Sequence, residues 1–245
     1  MEGKNCLITG ATSGIGEATA IELAKKGANI FFIARSEAKA KLLQEQLLQI
    51  NGQENSYIIA DLSAQEEVKR AAKEFLSLDK PLHVLLNNAG IINLERRETV
   101  DKFEEVFAVN HLAYFTLTIL LLDLIKNSSP SRIINVSSAA HAFVNDIDLD
   151  DLQSNKAFKP MNVYGKSKLA NILFTRELAK QLKGYNVTVN CLHPGFVATN
   201  FGTQNDSFWG KLAMKIATPF ARNSHRGASS SIYLCTSDEV KEVTG

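Results

Sequence analysis

The stretch Asn5-Cys6-Leu7-Ile8-Thr9-Gly10-Ala11-Thr12-Ser13-Gly14-Ile15-Gly16 decides the fold of this chain. Asn5 to Thr9 reads as a buried strand, Gly10 to Gly16 as a tight turn, and Glu17 to Lys26 as a helix with apolar residues at Ala18, Ile21 and Ala24. A strand that passes through glycines into a helix N-terminus is a cradle for phosphate. Gly10 allows the turn, Gly14 lets the backbone approach a pyrophosphate, and Gly16 permits close packing of helix on strand. The unpaired amides at the helix start face the anion with the helix dipole behind them. The spacing G-x-x-x-G-x-G departs from the commoner G-x-G-x-x-G, yet it sits in the strand-to-helix context that dinucleotide binding requires. Ser13 and Ile15 lie within the same cradle.

Beyond it, strands and helices alternate. Strands are expected at Asn29 to Ala34, Ser56 to Ala60, His83 to Asn87, Arg132 to Ser137 and Val187 to His193. Helices are expected from Ser36 to about Ile50, near Val100 to Lys126 and from Val163 to Leu182. Between them, Ser63-x-x-Glu66 reads as a capping box opening a helix with Val68, Ala71, Ala72, Phe75 and Leu76 on one stripe. With the right-handed crossover rule, six such strands make a doubly wound parallel sheet covered on both faces, a Rossmann fold in a single α/β domain spanning 1–245. Ligands of such sheets lie beyond the carboxyl ends of the strands.

A second stretch carries chemistry. In Tyr164-Gly165-Lys166-Ser167-Lys168 a phenol and an ammonium spaced i, i+4 stand on one helix face. Tyrosine, with a pKa of about 10, is a weak acid at neutral pH, and a fixed positive charge beside it favours the phenolate. Lys168 is expected to supply that charge and lower the phenol's pKa. Ser137 and Ser138 end a strand, and either hydroxyl can donate to a substrate oxygen or cap the next turn. Asn110 falls in the middle of a long helix, where asparagine is a poor former, which calls for a helix distortion or a fixed polar contact.

Together, Thr9-Gly10-x-x-x-Gly14-x-Gly16, Asn87-Asn88-Ala89-Gly90, Asn110, Ser137-Ser138, Tyr164-x-x-x-Lys168 and Pro194-Gly195 resemble, in order, the motifs of the short-chain dehydrogenases/reductases. The resemblance covers essentially the whole chain. Asn135-Val136-Ser137-Ser138-Ala139-Ala140-His141, the acidic stretch ending in Asp150-Asp151-Leu152-Gln153-Ser154, and Lys166-Ser167-Lys168-Leu169-Ala170-Asn171 resemble the retinol dehydrogenase-like branch. The likeness implies a catalytic set of Asn110, Ser138, Tyr164 and Lys168. Tyr164 moves the proton, Lys168 also binds the nicotinamide ribose, Ser138 positions the substrate oxygen, and Asn110 supports a water on its carbonyl. It further implies that Asp61 and Leu62 meet the adenine, that Asn88, Ala89 and Gly90 line the ribose, and that Pro194, Gly195 and Thr199 approach the nicotinamide. Residues 142–160 hold an insertion between Ser138 and Tyr164, expected to loop over the site without displacing the serine. His141, a lone loop histidine, stays outside the mechanism.

Cofactor choice is read from the end of the second strand, where Ile33-Ala34-Arg35-Ser36 lacks the acidic residue of NAD-selective relatives. Arg35 suits a 2′-phosphate and Ser36 adds a hydroxyl or helix amide, which points to NADP(H), with NAD(H) also open; a solvated Arg35 is the plainer alternative.

The chain has 245 residues, 45% hydrophobic and 22% charged, enough for one large core, and its formal charge of +1 gives no reason to expect nucleic acid or an anionic membrane. Cys6, Cys191 and Cys235 are an odd number of thiols, expected as small core residues in a reducing compartment. The first strand begins almost at Met1, and the most apolar run, Leu117 to Ile125, is broken by Asp123. No signal peptide or membrane span is therefore expected, and the cytoplasm is the expected compartment, although some relatives carry anchors. Self-association into a homo-oligomer is compatible with this reading.

These readings imply hydride transfer between NADP(H) and a carbonyl or alcohol of an apolar small molecule. The apolar side chains of Phe196 to Arg226, among them Phe201, Phe208, Trp209 and Met214, read equally as a substrate lid or as the buried face of a small helix. A reductase of activated carbon–carbon double bonds and a non-catalytic dinucleotide sensor are the rival classes. Val243-Thr244-Gly245 reads as a turn leading to a further strand that the sequence lacks.

Overall fold

In the computed structural model the described residues are 1–53, 55–195 and 224–245. Six strands, β1 (Asn5–Thr9), β2 (Asn29–Ala34), β3 (Ser56–Ile59), β4 (Val84–Asn87), β5 (Ser131–Val136) and β6 (Val187–Leu192), form one sheet in the order β3-β2-β1-β4-β5-β6. Every neighbouring pair is parallel. The doubly wound expectation holds, and the strand limits agree to within a residue.

Register explains why the strands read as continuous apolar runs. Leu7 pairs with Phe31 on one side and Leu85 on the other, Leu85 with Ile133, and Ile133 with Val189. That row faces one core layer, packed under α3 (Gln65–Ser77), α5 (Ala113–Asn127) and α6 (Pro160–Gln181). One residue on, Ile8 aligns with Phe32 and Leu86, and Leu86 with Ile134. This second row points to the opposite layer, covered by α1 (Gly14–Lys25), α2 (Glu37–Asn51) and α7 (Ser224–Thr236). Since alternate side chains point to opposite faces, both sets must be apolar. Each fully buried Leu, Ile or Phe contributes about 1.5–3 kcal/mol.

Three expectations change. The Ser63-x-x-Glu66 capping box does not form: α3 starts at Gln65, and its first amide donates at 2.7 Å to the carboxylate of Asp101, which lies far away in the chain. The helix expected from Val100 starts at Glu105, because Thr99 to Phe103 close a turn with Lys102 at positive φ. Glu104 caps this helix, α4 (Glu105–Phe107), accepting from the amides of Val106 at 2.9 Å and Phe107 at 2.7 Å. A π-helical turn, Ala108–Leu112, joins it to α5.

The combined helix Glu105–Asn127 has 23 residues and, by length and composition, is apolar enough to cross a membrane, so the apolar run is longer than Leu117 to Ile125 indicates. Its Tyr114, Leu117, Leu121 and Ile125 are buried in the sheet layer, which is the pattern of a core helix. At the end of the described residues, Val243 closes a turn on the Val240 carbonyl and the chain runs on along the outer edge of β6, where Gly245 donates to the Val189 carbonyl at 2.8 Å and Thr244 Oγ1 accepts from the Val189 amide at 3.0 Å. Of the lid expected over 196–226, residues 196–223 lie outside the described ones, and Ser224 to Arg226 form the first turn of α7.

Candidate active site

All six strands run the same way, so the motifs that follow them collect at one edge. After β1, Gly10 has φ +68° and a methyl there would lie 2.9 Å from Ala89 Cα, while one on Gly16 would meet the Gly10 carbonyl and Asn88 Nδ2. Only glycine lets α1 and the β4 turn approach the loop this closely. Thr9 Oγ1 accepts from the amides of Asn88 at 2.8 Å and Ala89 at 3.0 Å, and Asn88 Nδ2 returns to the Thr9 carbonyl at 2.9 Å. The side chain of Asn88 therefore braces the glycine loop. Gly14 has φ +62°, and the N-cap residue Ser13 makes no side-chain cap, so the first amides of α1 stay open to an anion.

Around this cradle, Arg35 is exposed at the end of β2 and Ser36 caps α2 by accepting from the Lys39 amide at 3.5 Å. Asp61 is exposed after β3 and accepts from the Ser63 amide at 2.9 Å, so its carboxylate closes a local turn, next to buried Leu62. Gly90 and Ile15 are half-buried beside it. Pro194 and Gly195, with φ +80° at the glycine, leave β6 at the same edge. Thr199 lies outside the described residues.

Beyond β5 the two serines separate in role. Ser137 is buried and its Oγ donates to the Lys168 carbonyl at 2.8 Å, whereas Ser138 is half-buried and is the polar neighbour that favours ionisation of the Tyr164 phenol. The insertion therefore leaves Ser138 in place. It is strapped down by Lys166, whose Nζ donates to the carbonyls of Asp151 at 3.2 Å and Leu152 at 2.8 Å and to Ser154 Oγ at 2.7 Å. His141 Nδ1 lies 2.7 Å from the Ser138 carbonyl, a turn-holding contact.

Beneath Tyr164, Lys168 Nζ donates to the Val136 carbonyl at 3.0 Å and lies 5.6 Å from the ring centroids of both Tyr164 and Tyr114. Asn110 sits in the π turn, and both ends of its amide close on the backbone of Ile91, at 2.8 Å and 3.0 Å, with a third bond to Ser167 Oγ at 3.1 Å. Distortion and fixed contact occur together, since the π turn aims the side chain at the β4 loop.

The electrostatics differ from the expectation that Lys168 lowers the phenol's pKa. Burial pushes Tyr164 up to about 12, only partly opposed by Ser138, and burial brings Lys168 down to about 7. Desolvation penalises both charged forms, so the phenol rests neutral over a lysine whose hold on its proton is weakened by burial.

Sequence reasoning missed Tyr114, His111 and Asn171. Tyr114 is fully buried and donates to the Ala89 carbonyl at 2.7 Å. Asn171 had a visible signal: Tyr164, Lys168, Asn171 and Thr175 follow the helical period as a polar stripe on the face that must be buried. A groove of about 570 Å³ along β6, lined by Arg176, Lys183, Tyr185 and Thr244, shares no residue with the site.

A glycine cradle, an Asn110 held in a helix distortion, and a Ser138–Tyr164–Lys168 column converge on one sheet edge, and residues 4–208 match the short chain dehydrogenase family. The chain belongs to that family. Its relatives include retinol dehydrogenase 14 of Mus musculus, 42% identical over 258 residues that span 100% of this chain and 77% of the relative. Retinol dehydrogenase 12 of Mus musculus is 39% identical over 246 residues, 99% of this chain and 76% of its own. Among solved structures, the Pseudomonas aeruginosa RhlG/NADP complex superposes with a TM-score of 0.78 at 26% identity, covering 100% of this chain and 93% of that one. As a short-chain dehydrogenase of the retinol dehydrogenase-like branch, the protein is a dinucleotide-dependent oxidoreductase acting on alcohols and carbonyls.

Proposed function

We propose that this short-chain dehydrogenase uses NADP(H) to interconvert an apolar alcohol and its aldehyde or ketone, with Tyr164 as the proton donor and acceptor. The observation that carries the reading is the buried Tyr164 phenol stacked on Lys168, whose Nζ lies 5.6 Å from its ring centroid and is pinned to the Val136 carbonyl, with Ser138 as its polar neighbour.

The residues present fit a dinucleotide. Gly10 and Gly16 occupy positions that a Cβ would fill, the first amides of α1 are uncapped, and Arg35 stands exposed without an acid beside it at the end of β2. The α1 amides would hold the pyrophosphate, Arg35 and the α2 start the 2′-phosphate, and Asp61 and Leu62 the adenine edge. NADP in the RhlG complex supports the same choice. When bound, the nicotinamide supplies or accepts the hydride.

The chain's own residues manage the proton and the oxygen. Ser138 donates to the substrate oxygen and stabilises the charge that develops there. Tyr164, neutral at pH 7, is poised to give its proton to that oxygen during carbonyl reduction; in the reverse direction it must first lose it. Lys168, pinned to the Val136 carbonyl, supplies a proton-exchanging neighbour under the phenol, and Asn110 fixes the β4 loop through Ile91.

The relatives' names favour an apolar alcohol or aldehyde as substrate. Three free thiols, two of them buried, support a reducing compartment such as the cytoplasm. Half-exposed Phe115 and Ile119 on α5 and Leu173 on α6 support self-association.

The test follows absorbance of NADPH and NADH separately against a panel of aldehydes, ketones and enones. Oxidation of NADPH by apolar aldehydes or ketones is expected; turnover confined to enones, or none with any carbonyl, overturns the reading.

A further inference from the structure

The buried face of α6 carries a polar side chain that the proton path does not use. Asn171 is fully buried, three residues beyond Lys168. Its Nδ2 donates to the Asn110 carbonyl at 2.8 Å and lies 3.4 Å from the Val136 carbonyl, the same oxygen that receives Lys168 Nζ at 3.0 Å. Its Oδ1 lies 3.0 Å from His111 Nδ1.

These neighbours leave one orientation. A carbonyl oxygen only accepts, so the end of the amide facing two carbonyls must be the NH₂ group. Oδ1 then faces His111 and must accept, which requires that Nδ1 carry the imidazole hydrogen. The His111 ring is held between Phe107, at 5.2 Å between centroids, and Phe174, at 6.3 Å.

We propose that Asn171 is a positioning residue for proton transfer, its amide locked by the Nδ1 hydrogen of His111. The role rests on the oxidoreductase reading above and deepens it. A single amide ties the π turn, through Asn110, to the end of β5, through Val136. The carbonyl that seats Lys168 therefore cannot move independently of the turn that holds the β4 loop. Without the amide, the Asn110 carbonyl and the His111 Nδ1 hydrogen are left buried and unpaired, and the strand end and turn are free to part. The titratable groups around Lys168 are Tyr164 on the same helix, Tyr114 on α5 and His111 in the π turn.

The experiment compares Asn171→Leu, His111→Leu, His111→Asn and the Asn171→Leu/His111→Leu double variant in the full chain. It reads kcat and KM against pH with NADPH and an apolar aldehyde. It also reads the Lys168 side-chain titration in cofactor-free protein by carbon-13 NMR, assigned by the signal lost in Lys168→Met. In Asn171→Leu, kcat is expected to fall about tenfold or more with KM within about threefold. The Lys168 titration is expected to move down by about half a pH unit, because an apolar neighbour adds to its desolvation. His111→Leu shows the same changes more weakly, His111→Asn recovers most of that loss by restoring a donor, and the double variant is no worse than Asn171→Leu.

A folded Asn171→Leu protein with wild-type kcat, pH profile and Lys168 titration, altered only in melting midpoint, overturns the proposal. Should that variant not fold, equal behaviour of His111→Leu and His111→Asn overturns it instead. If the wild type turns over no carbonyl, the functional reading fails, and the Lys168 titration still decides the positioning role.

Discussion

Gly165 presses on the carbonyl of Ala140: a methyl added to this glycine would sit 2.5 Å from that oxygen. Ala140 belongs to the 3₁₀ turn Ala139–Phe143, which Ser138 caps by accepting from the Ala140 amide at 3.2 Å. The helix that carries Tyr164 and the turn that Ser138 caps are thus in direct backbone contact.

Gly165→Ala should therefore separate the two hydroxyls. The blocking atom is backbone, so the turn must shift as a unit. We expect kcat to fall about tenfold to a hundredfold, in the range of a lost and misplaced catalytic hydrogen bond, with NADPH binding retained. Fluorescence titration of NADPH alongside steady-state rates checks this, and wild-type kcat in a folded protein would show that the contact does not govern the site.

Tyr164→Phe should lower turnover about a hundredfold or more, since general acid catalysis contributes that much, while leaving the NADPH dissociation constant nearly unchanged. Because burial holds the wild-type phenol near 12, reduction finds its proton already in place at pH 7 and oxidation does not. Rates of alcohol oxidation are thus expected to climb from pH 7 to pH 10 while carbonyl reduction does not, a contrast read by assaying both directions in one buffer series.

Lys168 should oppose folding at neutral pH. Its folded pKa of about 7 lies below its ordinary 10.5, so the unfolded chain binds more protons between those values and stability rises with pH across that window. At and below pH 7 the full penalty of the buried ammonium applies, on the order of several kcal/mol. Lys168→Met is then expected to be inactive yet more stable than the wild type at pH 6, with the gain shrinking toward pH 10. Denaturant melts at the two pH values measure this; a gain that is equal at both would contradict the assignment.

Arg35→Ala should weaken NADPH by about tenfold to a hundredfold, the equivalent of one charge-assisted phosphate contact, and change NADH by less than about threefold. Calorimetric titration with each nucleotide decides it, and equal losses for both would place Arg35 away from the 2′-phosphate.

Much of this architecture is legible along the chain because it is written in local rules. Leu7 and Ile8 belong to opposite core layers simply because successive strand residues face opposite ways, and the Gly10–Gly16 loop declares itself by the lack of side chains at a strand-to-helix turn. Where a rule depends on a partner far away in the chain, the reading fails. Ser63 is the local choice to cap α3, but Asp101, 36 residues further along the chain, takes the Gln65 amide.

The sequence by itself determined the strand order's ingredients, the cradle, and the identity of the residues at the sheet edge, since composition, period and glycine position act through nearest neighbours on the chain. Only the tertiary structure decided that Ser137 turns to the Lys168 carbonyl, that the Asn110 helix opens into a π turn, and that Asn171 bridges two carbonyls. It alone also reversed the protonation argument: a lysine beside a tyrosine implies attraction, but how much water each has lost is set by everything packed around them, and here desolvation prevails.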